Sequence, residues 1–205
     1  MILIGIGANL PWSGTAPRST CTAALSQLAI VGVVIIRRSR WIESAPVPPS
    51  DQPWFTNGVA LIRTSLGPVE LLAALHQVET IFNRVRTVPN APRVLDLDLL
   101  AYHDLVCKAT PILPHPRLHK RAFVMWPLAE IVPYWRHPTS GQTASQIAIS
   151  LPPGQRIRWL RQPRQQACLE STVALSEKSQ SRQACHLFWK VNRASCACAS
   201  PVIPA

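Results

Sequence analysis

Between Ala91 and Tyr102 the chain reads APRVLDLDLLAY, with Leu95, Leu97 and Leu99 alternating with Asp96 and Asp98. In a β-strand, residues two apart share a face. The leucines therefore claim one face for a core. The two carboxylates share the other, roughly 6.6 Å apart along the chain from the rise per residue. A strand of this kind, read over 94–102, belongs in a sheet with one face packed. Two like charges at that separation also need a positive neighbour.

The rest of the chain supplies the partners. Residues 1–7 read as a first strand and 18–29 as a helix, while 33–44, β-branched and then alternating, read as a second strand. APVPPSDQPW at 45–54 is a proline-rich loop, and a third strand follows at 57–64. Gly67-Pro68-Val69-Glu70 starts a helix that runs to about residue 83. Glycine suits its N-cap, proline its first position, and the glutamate complements the helix dipole. After a basic loop at 84–90 and the aspartate strand come a proline-rich turn at 112–116, a helix near 119–131 and a short helix near 143–151.

This order, β-α-β-β-α-β with additions, predicts an α+β, ferredoxin-like fold: an antiparallel sheet with helices on one face, plus extra C-terminal helices. Residues 1–165 are expected to form one domain. Residues 166–205 mix Ser, Gln and Cys without periodicity and are expected to be a poorly ordered C-terminal tail.

Composition narrows the function classes. The longest apolar run, LAIVGVVII at 28–36, is about half of a membrane span, and the N-terminus lacks a basic leader. A cytoplasmic monomer without membrane attachment is expected. Of the six cysteines only Cys21 and Cys107 precede the tail, which excludes a disulfide scaffold. The net charge of +11 favours an anionic partner: nucleic acid, an acidic surface or a phosphorylated small molecule.

Paired carboxylate oxygens suit Mg²⁺, which takes one or two carboxylates and completes its shell with phosphates and water. Asp96 and Asp98 are therefore candidate metal ligands, and two such ions can clamp a displacement at phosphorus. Arg84, Arg86 and Arg93 lie close to the pair in sequence, as a nucleotide triphosphate requires. Neither a GxxxxGK[ST] phosphate loop nor the protein-kinase motifs occur, so a phosphotransferase here is of neither common type. Glu79 falls inside the apolar stripe of Leu71, Leu72, Leu75, Val78 and Phe82. It is either partnered by an arginine of the next loop or near the site. The rival reading is a basic ferredoxin-like RNA-binding module without catalysis. That class needs aromatic residues on the outer faces of its central strands, where this chain has aspartates.

The stretch N-A-P-R-x-x-D-x-D-L-L resembles the signature of the 6-hydroxymethyl-7,8-dihydropterin pyrophosphokinases, enzymes of folate biosynthesis. IGIGANL, SDQPWFTNGVAL, NRVR and LPHPRLHKRAFVMWPLAEIVP agree in order and spacing, and the resemblance covers about residues 1–160. It implies Mg-dependent transfer of pyrophosphate from ATP to the hydroxymethyl group of the dihydropterin, with release of AMP and no nucleic-acid partner. Carried over by motif, Asp96 and Asp98 bind two Mg²⁺, and Arg84 and Arg93 contact phosphates as catalytic residues. Glu79, Arg86, His115 and Arg121 join the ATP site. Asn57 reads the pterin edge, Phe55 and Phe123 sandwich the ring, and Ser44 and Val47 line the pocket. Asn90 stands where many members carry an aromatic lid residue.

Overall fold

The computed structural model describes residues 1–84 and 91–161. Arg86, Asn90 and the tail at 166–205, with the expectations attached to them, lie outside the described residues.

Strand β1 (Ile2–Ala8) pairs antiparallel with β4 (Phe55–Arg63) on one side and β5 (Asp96–Tyr102) on the other. Strands β2 (Val34–Arg38) and β3 (Ile42–Ser44) both pair antiparallel with β4, and β6 (Ile157–Trp159) adds to β3. With β2 and β3 counted as one interrupted strand, the order is fourth, first, third, second. That is the ferredoxin-like arrangement expected from the element order.

The alternation of β1 divides the core in two. Ile2, Ile4, Ile6 and Ala8 join Ala60, Ile62, Leu97 and Leu99 beneath helices α1 (Pro17–Ile30) and α2 (Pro68–Ile81). Cys21, Ala24 and Leu28 from α1 and Leu71, Leu75 and Val78 from α2 complete this layer. On the opposite face, Leu3, Val59, Leu100 and Ala101 pack against α3 (Ala122–Ile131) and α4 (Ala144–Ser150). The extra helices thus cover one part of the second face. At the other end of β1 that face carries Gly5 and Gly7, opposite Asp98 and Asp96. Without side chains on β1, the sheet there is left as the floor of a cleft.

Several boundaries differ from the sequence reading. The expected single strand at 33–44 breaks at Ser39, whose hydroxyl accepts from the Val59 amide (3.0 Å) and donates to the Arg40 carbonyl (2.8 Å). Beyond the break Trp41 turns into the core over Gly58, where an added Cβ would stand 2.7 Å from the indole. The aspartate strand begins its ladder at Asp96, because the Arg93 carbonyl is taken by the amides of Asn9 and Leu10. The helix expected from 119 divides into a 3₁₀ turn, Leu118–Lys120, and α3, with Arg121 extended between them. β6 was not anticipated. Helix α2 starts as expected, with Gly67 at the N-cap and Pro68 in its first turn. Among the described residues no helix is long and apolar enough to cross a membrane.

Candidate active site

A cavity of about 870 Å³ opens on the glycine floor of β1. Asp96 and Asp98 reach it from β5, Asn57 and Phe55 from β4, and Phe123 from α3. Arg84, Arg93 and Arg121 complete its polar wall. The expected register holds: Leu95, Leu97 and Leu99 are buried in the core, and both aspartates face the cavity.

Arg84 lies just beyond α2, after Phe82 and Asn83, and its amide closes the helix end on the Glu79 carbonyl (3.2 Å). Its Nη1 reaches the Glu79 carboxylate (2.7 Å), the Leu95 carbonyl (2.9 Å) and Asp96 Oδ1. Arg93 Nη1 donates to the other oxygen, Asp96 Oδ2, at 2.6 Å. Asp96 is thereby held by a guanidinium on each oxygen. Burial alone raises its pKa, but Arg93 and Arg84 together outweigh burial and hold it below the usual carboxylate range.

Asp98 is less well compensated. Its nearest cation among the described residues, Arg121, stands 3.8 Å away, beyond hydrogen-bond length. Burial, reinforced by the negative charge of Asp96, pushes its pKa up to about 6. Arg121 itself is pulled below its usual pKa, first by burial and then by Arg117. Among the described residues no cluster of three or more His, Cys, Asp or Glu could close around a metal ion. The donor set is two carboxylates on one face of a strand, one of them short of positive charge. That set fits Mg²⁺, whose remaining ligands come from phosphates and water.

The apolar part of the cavity lies beside this charged wall. Phe55 and Phe123 both line it, with the Arg93 guanidinium 5.8 Å from the first ring centre and the Arg121 guanidinium 5.5 Å from the second. Asn57 Nδ2 donates to Ser44 Oγ at 3.0 Å, and both residues are buried. Gly7 makes room for this amide, since a Cβ there would come within 2.9 Å of Asn57 Oδ1. Val47 lies at the exposed rim.

Two expected nucleotide contacts are placed differently. Glu79 is 2% exposed and does not line the cavity. Its Oε1 accepts from Arg84 and from the Leu97 amide (2.8 Å), so it supports the site from beneath. The alternatives left open for Glu79 thus merge: it is partnered, and its partner belongs to the site. His115 also stands off the cavity wall, with its Nδ1 accepting the Arg117 amide at 3.2 Å. Burial, then Arg121 and Arg117, push its pKa down to about 4, so the ring is neutral at ordinary pH.

Sequence reasoning missed several contributors, among them two glycines and two basic residues. Gly5 and Gly7 form the floor, and their spacing of two within a strand was the available signal. Arg117 and Lys120 enter from the 3₁₀ turn, where a dense basic run alone does not say which side chains face inward.

The chain matches the family model for 7,8-dihydro-6-hydroxymethylpterin-pyrophosphokinase (HPPK) over residues 3–133. It is 38% identical over 147 residues to a 2-amino-4-hydroxy-6-hydroxymethyldihydropteridine pyrophosphokinase of Synechocystis, covering 71% of this chain and 73% of that one. A Pseudomonas aeruginosa protein of the same name is 36% identical over 153 residues, covering 74% of this chain and 91% of that one. Among solved structures, wild-type Plasmodium falciparum HPPK-DHPS aligns with a TM-score of 0.55 at 10% identity. That alignment covers 72% of this chain and 44% of the other, and it is a likeness of fold.

Proposed function

This chain belongs to the 7,8-dihydro-6-hydroxymethylpterin-pyrophosphokinase family, and from that premise we propose that it transfers pyrophosphate from ATP to 6-hydroxymethyl-7,8-dihydropterin, releasing AMP, within folate biosynthesis. The pterin hydroxymethyl oxygen attacks the β-phosphorus of ATP. A new O–P bond forms as the bond from that phosphorus to the α-phosphate oxygen breaks, AMP leaves with that oxygen, and the hydroxyl proton passes to solvent.

The juxtaposition that carries this reading is the carboxylate pair, four guanidinium groups and two aromatic rings around one cavity. Asp96 and Asp98 would hold Mg²⁺, which when bound neutralises phosphate oxygens and withdraws charge from the phosphorus under attack. Arg84, Arg93 and Arg121 bind and orient the triphosphate oxygens. Arg84 and Arg93 engage both oxygens of Asp96, so a carboxylate oxygen would come free for the metal as these guanidinium groups turn to the incoming phosphates. Phe55 and Phe123 hold the flat ring by their faces, and Asn57 pairs with its donor–acceptor edge. Ser44 orients Asn57 through their hydrogen bond.

Calorimetry with a non-hydrolysable ATP analogue, with and without Mg²⁺, tests the nucleotide half of this proposal. Affinity that rises with Mg²⁺ is expected. Binding indifferent to Mg²⁺, or preference for a polynucleotide, would favour a binding module instead.

A further inference from the structure

Asn9 follows the last residue of β1 and is 2% exposed. The hydrogen-bonding groups of its side chain are all engaged. Oδ1 accepts from the Arg93 amide at 2.7 Å, while Nδ2 donates to the Pro53 carbonyl (3.2 Å) and to Gln52 Oε1 (3.3 Å). The Asn9 amide also donates to the Arg93 carbonyl at 3.0 Å, so both backbone polar groups of Arg93 are bound to Asn9. A carboxamide suits this position because it turns its acceptor toward an N–H and its two donors toward two oxygens.

The residues it joins belong to different halves of the cavity. Arg93 grips Asp96 on the phosphate side. Gln52 lines the cavity and lies three residues before Phe55, on the pterin side. Both the 52–53 segment and Arg93 lie outside the strands, so no sheet ladder fixes one against the other. Asn9 connects them.

We propose that Asn9 is a positioning residue that couples the two substrate subsites. This rests on the pyrophosphokinase reading above. Ordering Arg93 on a triphosphate also orders the 52–53 segment through Asn9, so the second ligand meets a pocket that costs less to organise. The effect is reciprocal, as any coupling between binding equilibria must be.

The test measures dihydropterin affinity by calorimetry, with and without Mg²⁺ and a non-hydrolysable ATP analogue. Wild type is expected to bind the dihydropterin at least about fivefold more tightly with the analogue present. Asn9→Asp keeps an acceptor for the Arg93 amide but turns an oxygen toward the Pro53 and Gln52 oxygens. It is expected to bind the analogue within about threefold of wild type and to lose the enhancement, because only the pterin-side link is cut. Gln52→Ala removes one of the two acceptors and is expected to reduce the enhancement part of the way. Wild type without enhancement overturns the proposal. So does an Asp variant that keeps the full enhancement, or one that loses analogue affinity as severely as it loses enhancement. Should the Asp variant not fold, Gln52→Ala decides: unchanged enhancement overturns the coupling and reduced enhancement supports it. AMP formation by the wild type, measured separately, reports on the pyrophosphokinase reading itself.

Discussion

The buried carboxylate of Glu79 accepts a 2.7 Å hydrogen bond from Arg84, the same guanidinium that reaches Asp96. Helix α2 is thereby tied to the charged wall of the cavity by a residue that does not line it. The same Glu79 oxygen accepts the Leu97 amide, in the core-facing register of β5. One acid therefore sets the guanidinium and the strand that carries its target.

Removing that acid is expected to cost stability as well as activity. Glu79→Ala leaves the Leu97 amide unpaired and Arg84 short of one counter-charge, at a cost of about 2–3 kcal/mol. Glu79→Gln also loses the charge facing Arg84 but keeps an acceptor for the amide, and is expected to cost about 1 kcal/mol less than the alanine variant. Urea denaturation of the two variants measures the difference. Equal losses would show that the amide contact does not matter.

Asp96→Ala and Asp98→Ala are expected to fold normally and to lose turnover by about 10²–10³, the scale for removing a group that stabilises transition-state charge. Steady-state assays at saturating Mg²⁺ check this. A variant retaining more than about a tenth of wild-type activity would remove that residue from the metal site.

Asp98 also makes stability depend on pH. Its pKa is raised from 3.8 to about 6 in the folded chain, so the fold favours the protonated form. The resulting stabilisation is fully present below the unfolded value and is lost as pH rises through about 6. Water reaches this side chain, which is 36% exposed, so the effect is discounted to ~1 kcal/mol. In the absence of divalent cations, Asp98→Asn is therefore expected to melt above wild type at pH 8 and to converge with it near pH 4. Asp96 has the opposite sign: its lowered pKa stabilises the fold at higher pH, and that contribution fades on acidification. Its titration lies below the usual carboxylate range, so the change between pH 4 and pH 8 reports Asp98. Parallel melting profiles would contradict the raised pKa.

The tail prediction rests on composition. Residues 166–205 lack the periodicity of a packed element, and we propose that they are dispensable. A chain ending at Gln165 is expected to keep the melting temperature and turnover of the full chain. A drop in melting temperature of more than a few degrees, on the order of 1 kcal/mol, would mean that the tail packs on the domain.

The sequence made most of this fold legible because its strong signals are local. Alternation in β5 placed Asp96 and Asp98 on the cavity face, and Gly67-Pro68 marked the start of α2 within a residue. What it concealed depends on distant partners. β6 is three residues long and pairs with β3 across more than a hundred positions, so no local pattern announces it. The break at Ser39 depends on the Val59 amide, twenty residues away. Asn9 carries no local signal, because its role depends on Arg93 and Pro53, which are distant in sequence. Glu79 was conspicuous as an acid in an apolar stripe, but only the structure shows that its partner is also the partner of Asp96.

The most direct test of the account is product identity. Purified protein would be incubated with ATP, Mg²⁺ and 6-hydroxymethyl-7,8-dihydropterin, and its nucleotide and pterin products resolved by chromatography. AMP and a diphosphorylated pterin are expected in equal amounts, with no AMP formed when the pterin is omitted. Formation of ADP with a monophosphorylated pterin, or AMP release independent of the pterin, would contradict it.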